Sequence, residues 1–240
     1  MSEHAASPLV CLHGVSSGPA CWNRWLPYLA PTLPRTPDLA RPAGGGRWTS
    51  LASAAGGLAG EIAAAGTGPV TLLGHSMGGL VALLLALEHP GMVRSLVLVD
   101  TPALPLPGGP LGRLGAVMRS TGHTDPTTFP MLARGLLRMG PLRLTSALRE
   151  IVSCDLADRL PELHVPTLLV WGADDVVVPA EIGARMAELL PDARLVLVPG
   201  AGHMPMWEAP ASFAAAIGPF LAEASHAPRE IPRLVNGRAS

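Results

Sequence analysis

The ten residues Val70-Thr-Leu-Leu-Gly-His-Ser-Met-Gly-Gly79 decide the fold. They begin with an apolar run that suits a buried strand, and residues 74–78 match the pattern G-x-S-x-G. An Ala/Leu-rich stretch follows at once, so the pattern lies where a strand turns into a helix. We expect a strained turn that lifts the Ser76 hydroxyl above the edge of a sheet. Glycine is needed at both flanks because a Cβ there would clash with the neighbouring strand and helix.

The rest of the chain repeats this order of strand and helix. Five short runs are apolar at both odd and even positions and are bounded by Gly or Pro. This pattern is typical of strands buried on both faces of a parallel sheet. The pattern predicts an α/β fold, a doubly wound, mostly parallel sheet of about six strands flanked by helices. The expected strands are Pro8–His13, Val70–Gly74, Ser95–Asp100, Thr167–Gly172 and Arg194–Pro199, with a weaker one near Pro34–Asp38, and the expected helices are Leu51–Ala65, Met77–His89, Ala180–Leu190 and Met206–Glu223.

One interval interrupts the alternation. Residues 101–166 contain no convincing strand, only a Pro/Gly-rich loop followed by helical pieces. We therefore predict a single domain over residues 1–240, with its core at about 8–100 and 167–224 and a small helical cap inserted at about 101–166. The polar stretch 225–240, which contains two prolines, is expected to form a C-terminal tail.

The composition excludes several classes of function. The formal net charge is −1 and the pI about 6.7, so no basic excess indicates a nucleic acid or an anionic membrane as partner. All 17 basic residues are arginine, so no lysine can form a Schiff base or serve in a P-loop. The three cysteines are widely spaced and show no zinc pattern, and free thiols fit a reducing compartment. Since neither a signal peptide nor a membrane-spanning segment is recognisable, we predict a cytoplasmic protein.

Together with the strand–turn–helix context, the G-x-S-x-G pattern resembles the nucleophile elbow of the α/β-hydrolase superfamily. A second motif, Leu12-His-Gly-Val15, follows the first expected strand and is similar to the loop that supplies an oxyanion donor in that family. The resemblance implies that Ser76 is the nucleophile and that the backbone N–H groups of Val15 and Met77 form the oxyanion hole. It extends from Pro8 to about Leu221.

The acid of such a triad follows a later strand in the pattern G-x-x-D-x-x-x-P. The segment Gly172-Ala-Asp-Asp-Val-Val-Val-Pro179 resembles it, which implies that Asp175 is the acid. Asp174 is one position out of register and is interpreted as a solvated turn residue. A rarer variant of the family places the acid after an earlier strand, so Asp100 stays a reserve candidate.

The base of the triad follows the last strand as Gly-His with a Glu and a Pro downstream. Gly202-His203, followed by Glu208 and Pro210, looks like this arrangement, so the resemblance implies that His203 is the base. His13 lies in the loop after the first strand, where we expect a structural role. His75 lies inside the elbow beside Ser76 and cannot also point at it. The chain order of nucleophile, acid and base is that of the superfamily.

These residues imply a serine hydrolase that cleaves a carboxylic ester or lactone of a small, largely apolar acyl substrate through an acyl-enzyme, with no cofactor and no metal. Thioester hydrolysis, carbon–carbon bond hydrolysis and cofactor-free perhydrolysis use the same triad, and a non-turnover small-molecule receptor is a further alternative. Haloalkane dehalogenases and epoxide hydrolases are excluded because they carry Asp where this chain has Ser76. The sequence does not indicate an oligomeric state.

The expected cap adds two features. In the helical piece Met131–Met139, the apolar residues Leu132, Leu136 and Met139 are predicted to share a face, with arginines opposite. We interpret the cap arginines as a solvated outer face; the alternative is that one of them reaches a substrate carboxylate or phosphate. The six arginines are Arg113, Arg119, Arg134, Arg138, Arg143 and Arg149.

Overall fold

The computed structural model describes residues 8–29, 33–41, 49–108 and 126–226. Within these ranges the chain forms an α/β fold of parallel strands and flanking helices, as the sequence predicts. The strands are β1 (Leu9–Leu12), β2 (Val70–His75), β3 (Val93–Val99), β4 (Thr167–Gly172) and β5 (Ala193–Val198). The helices are α1 (Leu51–Ala65), α2 (Met77–Glu88), α3 (Phe129–Met139), α4 (Pro141–Ser153), α5 (Ala180–Leu189), α6 (Pro205–Glu208) and α7 (Pro210–His226).

The sheet has five parallel strands in the spatial order β1-β2-β3-β4-β5, and the prediction of about six strands is therefore too high. The weak sixth segment contributes only an isolated parallel bridge, in which Arg35 N–H donates to Leu9 O at 2.9 Å and Cys11 N–H donates to Arg35 O at 2.8 Å. Pro34 and Pro37 flank that bridge. Because Arg35 N–H points toward β1, the next N–H on that side would have to come from Pro37, which has none, so the ladder cannot extend in the C-terminal direction.

This bridge shows why the functional residues collect where they do. Arg35, which follows β1 in the chain, pairs with one edge of β1, and β2 pairs with the opposite edge of β1. The direction of strand addition therefore reverses between β1 and β2. In open α/β sheets a crevice forms at such a switch point, beyond the carboxyl ends of the strands. The loops after Leu12 and His75 both open into it.

The strands are buried on both faces because their side chains alternate between two apolar clusters. Leu12, Leu72, Leu98 and Trp171 face the cluster that contains α1, α2 and α5. The intervening residues face a second cluster that contains α7 and the 3₁₀ turn at Pro19–Trp22. Apolar residues at both parities were the signal for this arrangement in the sequence.

Helix boundaries agree with the sequence except near the C-terminus. The single helix expected at Met206–Glu223 is two helices, α6 and α7, which are separated at Ala209 (φ −135°, ψ 61°). The next residue is Pro210, and a residue before proline is sterically disfavoured in the helical region, which favours the break at Ala209.

The predicted apolar face of the helical piece at 131–139 is also wrong in detail. The buried stripe of α3 is Met131, Gly135 and Met139, whereas Leu136 is exposed and Leu132 is half-buried. The stripe has the spacing i, i+4, i+8. It places Gly135 directly against the backbone of Ser16, where a Cβ would clash with the carbonyl group.

Within the described part of residues 101–166, the stretch 126–153 is helical, and it packs on the core. Met139 and Ala147 join the same apolar cluster as α1 and α2, and Glu150 accepts a hydrogen bond from Leu51 N–H at 2.7 Å. Residues 109–125, with Arg113 and Arg119, lie outside the described residues, as does most of the expected tail. The division into core, cap and tail stays a prediction.

The β2–α2 turn depends on two glycines at close approaches. A Cβ on Gly74 would lie 2.5 Å from Gly78 O and 2.6 Å from Gly79 Cα, inside the first turn of α2. A Cβ on Gly78 would lie 2.6 Å from the carbonyl carbon of Leu12 and 2.7 Å from His13 O, at the end of β1. The helix therefore packs against two strands at distances that no other residue allows, as the sequence predicts.

We expect Gly74→Ala to lower the free energy of unfolding by about 1–3 kcal/mol, because the new methyl group meets backbone atoms that cannot move aside. The matched control is Gly60→Ala in α1, where nothing lies within 4 Å of the added Cβ. That change should raise the free energy of unfolding by about 0.5–1 kcal/mol. Urea denaturation of both variants measures the difference, and equal effects would contradict the close packing at the elbow.

Candidate active site

Ser76 lies at the turn between β2 and α2 in a strained backbone conformation. Its φ is 51° and its ψ is −116°, which is unfavourable for a residue with a Cβ. The conformation is held from both sides, since Ser76 N–H donates to Val99 O at 2.8 Å and Ser76 O accepts from Gly79 N–H at 3.0 Å. The strain is the geometric consequence of reversing direction within one residue, and it aims the side chain out of the sheet edge.

The structure brings Ser76, His203 and Asp175 into one line of hydrogen bonds. His203 Nε2 lies 3.1 Å from Ser76 Oγ, and His203 Nδ1 lies 2.8 Å from Asp175 Oδ2. Because a carboxylate only accepts, Nδ1 carries the proton and Nε2 is left as the acceptor for the serine hydroxyl. Three residues that are 28 to 127 positions apart in sequence thus have the geometry of a nucleophile, a base and an orienting acid.

Asp175 is held rigidly by the turn that follows β4. Its Oδ1 accepts hydrogen bonds from Val177 N–H at 2.7 Å and from Val178 N–H at 3.0 Å, which leaves Oδ2 for the imidazole. Its side chain is fully buried. The neighbouring Asp174 is exposed, in agreement with its interpretation as a turn residue.

Two side chains outside this line fix the loop that carries His203. Glu208, the last residue of α6, accepts a hydrogen bond from Gly202 N–H, directly before His203. His75 donates from Nε2 to His203 O at 2.7 Å. Burial and the nearby His203 lower the pKa of His75 well below its usual value, so His75 is neutral. Sequence analysis gave His75 no specific role, because a residue inside the elbow carries no separate motif and its partner is 128 positions away.

The loop after β1 presents a backbone N–H group beside the elbow. His13 Nε2 accepts from Leu39 N–H at 2.9 Å, so the proton is on Nδ1, which donates to Gly14 O at 2.8 Å. Ser17 Oγ donates to the same carbonyl oxygen at 3.1 Å. Gly14 C=O and Val15 N–H belong to the same trans peptide and point in opposite directions. Because the carbonyl group is directed toward His13 and Ser17, the N–H of Val15 is directed away from them.

The N–H of Met77 is the second candidate oxyanion donor. Met77 is the first residue of α2, where backbone N–H groups have no partner within the helix and the helix dipole is positive. Among the described residues, neither Val15 N–H nor Met77 N–H has a hydrogen-bond acceptor in the protein. Both donors are therefore available for a negatively charged oxygen near Ser76.

Burial and charge act in opposite directions on the pKa of His203, the candidate base. Burial of His203 disfavours the protonated imidazole, whereas the charge of Asp175 and its hydrogen bond favour it, and the net effect raises the pKa of His203 above its usual value. Glu208 adds a smaller effect of the same sign. A raised pKa strengthens the imidazole as a base but also keeps it protonated to higher pH.

Asp100, the reserve candidate for the acid, does not occupy the position of Asp175. It is fully buried at the end of β3, and its Oδ1 accepts from Gly172 N–H at 2.9 Å. Within the described residues, the side chains of His75, Asp100 and His203 have donor atoms within 4.8 Å of one another, a spacing that can suit a metal ion. Hydrogen bonds to Ser76, Asp175 and a carbonyl group already use the nitrogen atoms of His203 and one of those of His75.

Two further histidines that the structure describes, His89 and His164, are not part of this cluster. His89 ends α2, and His164 is exposed between the 3₁₀ turn at Leu160–Glu162 and β4. His4 and His123 fall outside the described residues.

Residues 9–216 match the alpha/beta hydrolase family. The chain belongs to this family. A pimeloyl-[acyl-carrier protein] methyl ester esterase of Neisseria meningitidis serogroup B is 34% identical over 192 residues, which are 69% of this chain and 72% of that protein. A protein of the same name from Aromatoleum aromaticum is 31% identical over 84% of this chain and 93% of its own length. Both similarities extend beyond the elbow motif to most of the chain.

Solved structures agree with this assignment. A thermophilic esterase from Thermogutta terrifontis is 26% identical, superposes with a TM-score of 0.75, and is matched over 91% of this α/β-hydrolase chain and 90% of its own. Among the described helices of the present protein, none has the length and apolar character needed to cross a membrane.

If His203 is the base, activity requires its neutral form, so the rate should fall as the pH drops through its pKa. That pKa is raised, so we expect the acid limb of kcat/KM to have an apparent pKa above the usual value of about 6.5. The measurement is a pH profile with a neutral ester. His164→Gln, which removes an exposed histidine, should leave the profile unchanged, and an apparent pKa below about 6.5 in the wild type would contradict the assignment.

Proposed function

We propose that this carboxylic-ester hydrolase works through a catalytic triad of Ser76, His203 and Asp175 on a small, largely apolar acyl substrate, including lactones. The observation that carries the proposal is the continuous line of hydrogen bonds from Ser76 Oγ through the imidazole to the Asp175 carboxylate. The alignment of a nucleophile, a base and an orienting acid beside free backbone donors is the arrangement that acyl transfer requires.

The reaction follows from the positions of these groups. His203 Nε2 takes the hydroxyl proton as Ser76 Oγ forms a bond to the carbonyl carbon of the ester. The oxygen that becomes negative is stabilised by the N–H groups of Val15 and Met77. When the intermediate collapses, the bond to the alcohol breaks and His203 returns the proton to that alcohol. A water molecule then attacks the acyl-enzyme by the same steps and releases the acid.

Asp175 has an electrostatic and a positional role in this scheme. It holds the imidazole in the tautomer with the proton on Nδ1, and its charge stabilises the imidazolium that forms in each step. The two backbone donors on its other oxygen prevent it from rotating away from His203. A preorganised acid of this kind needs no rearrangement during the reaction.

Hydrolysis of a carboxylic ester has more support than the alternative functions. The curated relatives that span most of the chain are named methyl ester esterases, and the solved structure at 26% identity is named an esterase. Thioester, carbon–carbon and peracid chemistry would use the same triad, and a receptor without turnover would need no base aligned with its serine. A cytoplasmic location stays a prediction, and it is consistent with the three free cysteines, Cys11, Cys21 and Cys154.

The direct test of the nucleophile is Ser76→Ala. We expect this variant to lose covalent labelling by a fluorophosphonate probe and about a million-fold in kcat, the loss measured when the serine of a similar triad is removed. The wild type should show both labelling and steady turnover of an aryl ester. Labelling without turnover would favour the receptor, and full labelling of the variant would contradict the choice of Ser76.

A narrower substrate for the same site is a methyl ester whose acyl chain is attached to an acyl carrier protein, as the names of the relatives state for those proteins. Such a chain is joined through a phosphodiester group. The described cap helices present exposed cationic side chains at Arg134 and Arg149 and exposed apolar ones at Leu137 and Leu142. The one acid in these helices, Glu150, is engaged with α1. This surface suits an anionic carrier.

The charge-reversed double variant Arg134→Glu/Arg149→Glu tests that substrate. We expect kcat/KM for a carrier-bound methyl ester to fall at least about tenfold at low salt, because attraction becomes repulsion, while a free neutral ester is unaffected. Arg185→Glu on α5, outside the cap, is the matched control. If kcat/KM changes equally for both substrates, or for neither, the two arginines do not recognise the carrier and only contact solvent.

A further inference from the structure

Asp100 is a buried carboxyl group to which the mechanism above gives no role. It follows β3 in a left-handed backbone conformation, with φ 45°, which is unusual for a residue other than glycine. Its N–H donates to Val170 O at 3.0 Å, and its Oδ1 accepts from Gly172 N–H at 2.9 Å. The backbone of β4 therefore holds Asp100 at two points, one on its main chain and one on its side chain, at the edge of the sheet where the proposed triad lies.

The second carboxyl oxygen of Asp100 has no donor. Oδ2 is fully buried, and among the described residues no group donates a hydrogen bond to it. The charged and titratable groups around it are Asp175, Glu208, His75 and His203. An ionised Asp100 would thus place an unsatisfied charged acceptor beside the carboxylate of Asp175, which is costly in a buried site.

We propose that Asp100 is a positioning residue that is protonated in the active enzyme and donates its O–H to the carboxylate of Asp175. This proposal rests on the proposed triad. One proton shared between two adjacent carboxyl groups satisfies Oδ2 and leaves a single negative charge for both residues. Burial and the neighbouring charge of Asp175 raise the pKa of Asp100 well above its usual value, in the direction that this arrangement needs.

The proton shared by Asp100 and Asp175 affects the pKa of His203 through the charge of Asp175. Asp175 already accepts from Val177 N–H, Val178 N–H and His203 Nδ1–H, and a fourth donor would withdraw further electron density from the carboxylate. The carboxylate would then attract the imidazolium less strongly, so the pKa of His203 would be raised by a smaller amount. If Asp100 were ionised instead, two carboxylates would favour the imidazolium, and His203 would stay protonated at pH values where it must act as a base.

The test compares Asp100→Leu with Asp100→Asn. Leucine has a similar size but no donor, so we expect kcat to fall about 10- to 100-fold, the cost of a hydrogen bond to a charged group, and the acid limb to move to higher pH. Asparagine is the isostere of a protonated carboxyl group, since its oxygen accepts from Gly172 N–H and its amide donates to Asp175. It should recover most of the lost activity and return the acid limb toward that of the wild type.

A spectroscopic measurement makes the result independent of activity and of the folding of the leucine variant. At neutral pH the infrared spectrum of the wild type should contain the carbonyl stretch of a protonated carboxyl group, and Asp100→Asn should lack it. Absence of this band in the wild type, or an Asp100→Asn variant as inactive as Asp100→Leu, would overturn the proposal.

Asp175→Asn separates this proposal from that of the triad. It should cost about ten-thousand-fold in kcat, because the wrong tautomer of His203 is then favoured, and the exposed Asp174→Asn should cost little. An active Asp175→Asn variant would refute the triad. An inactive one, with no protonated carboxyl band in the wild type, would refute only the role of Asp100.

Discussion

The close packing of α2 against the ends of β1 and β2 is the constraint on which the rest of the site depends. Gly74 and Gly78 allow backbone to approach backbone at distances that exclude any Cβ, so the chain can turn from strand to helix within one residue. That residue is Ser76, whose positive φ is held by hydrogen bonds to β3 and to the helix itself. Strain of this kind persists only because the surrounding structure determines it fully.

The same packing brings the candidate oxyanion donors together. Gly78 lies against the carbonyl groups of Leu12 and His13, so the loop after β1 is next to the first turn of α2. Val15 and Met77 come from these two elements, and each has an N–H without an acceptor among the described residues. If α2 packed less closely against the end of β1, the N–H groups of Val15 and Met77 would lie further apart. An oxyanion hole formed by two backbone segments requires both donors to face the same oxygen.

The site also concentrates ionisable groups in a small buried volume, where burial is the largest influence on their pKa values. His75 is buried beside His203 and stays neutral, so it can donate to a carbonyl group without adding positive charge near the base. Burial raises the pKa of Glu208, which is nevertheless fixed to the Gly202 backbone. The neutral His75 adds no positive charge beside His203, which is favourable for the base of the proposed mechanism.

The sequence by itself determined the fold class, the position of the elbow and the identity of the residues that the structure aligns. Apolar strands and G-x-S-x-G are local patterns, and the spacing around Asp175 and His203 resembles a known family closely enough to choose between neighbouring residues. It did not determine that Pro37 stops the sixth strand after one bridge, or that α3 buries Met131 and Gly135 rather than Leu132 and Leu136. Nor did it show the contacts of His75 and Asp100, because each depends on a partner 72 to 128 positions away. Only the tertiary structure decides contacts of that range, since they follow from how strands and loops meet at one edge of the sheet.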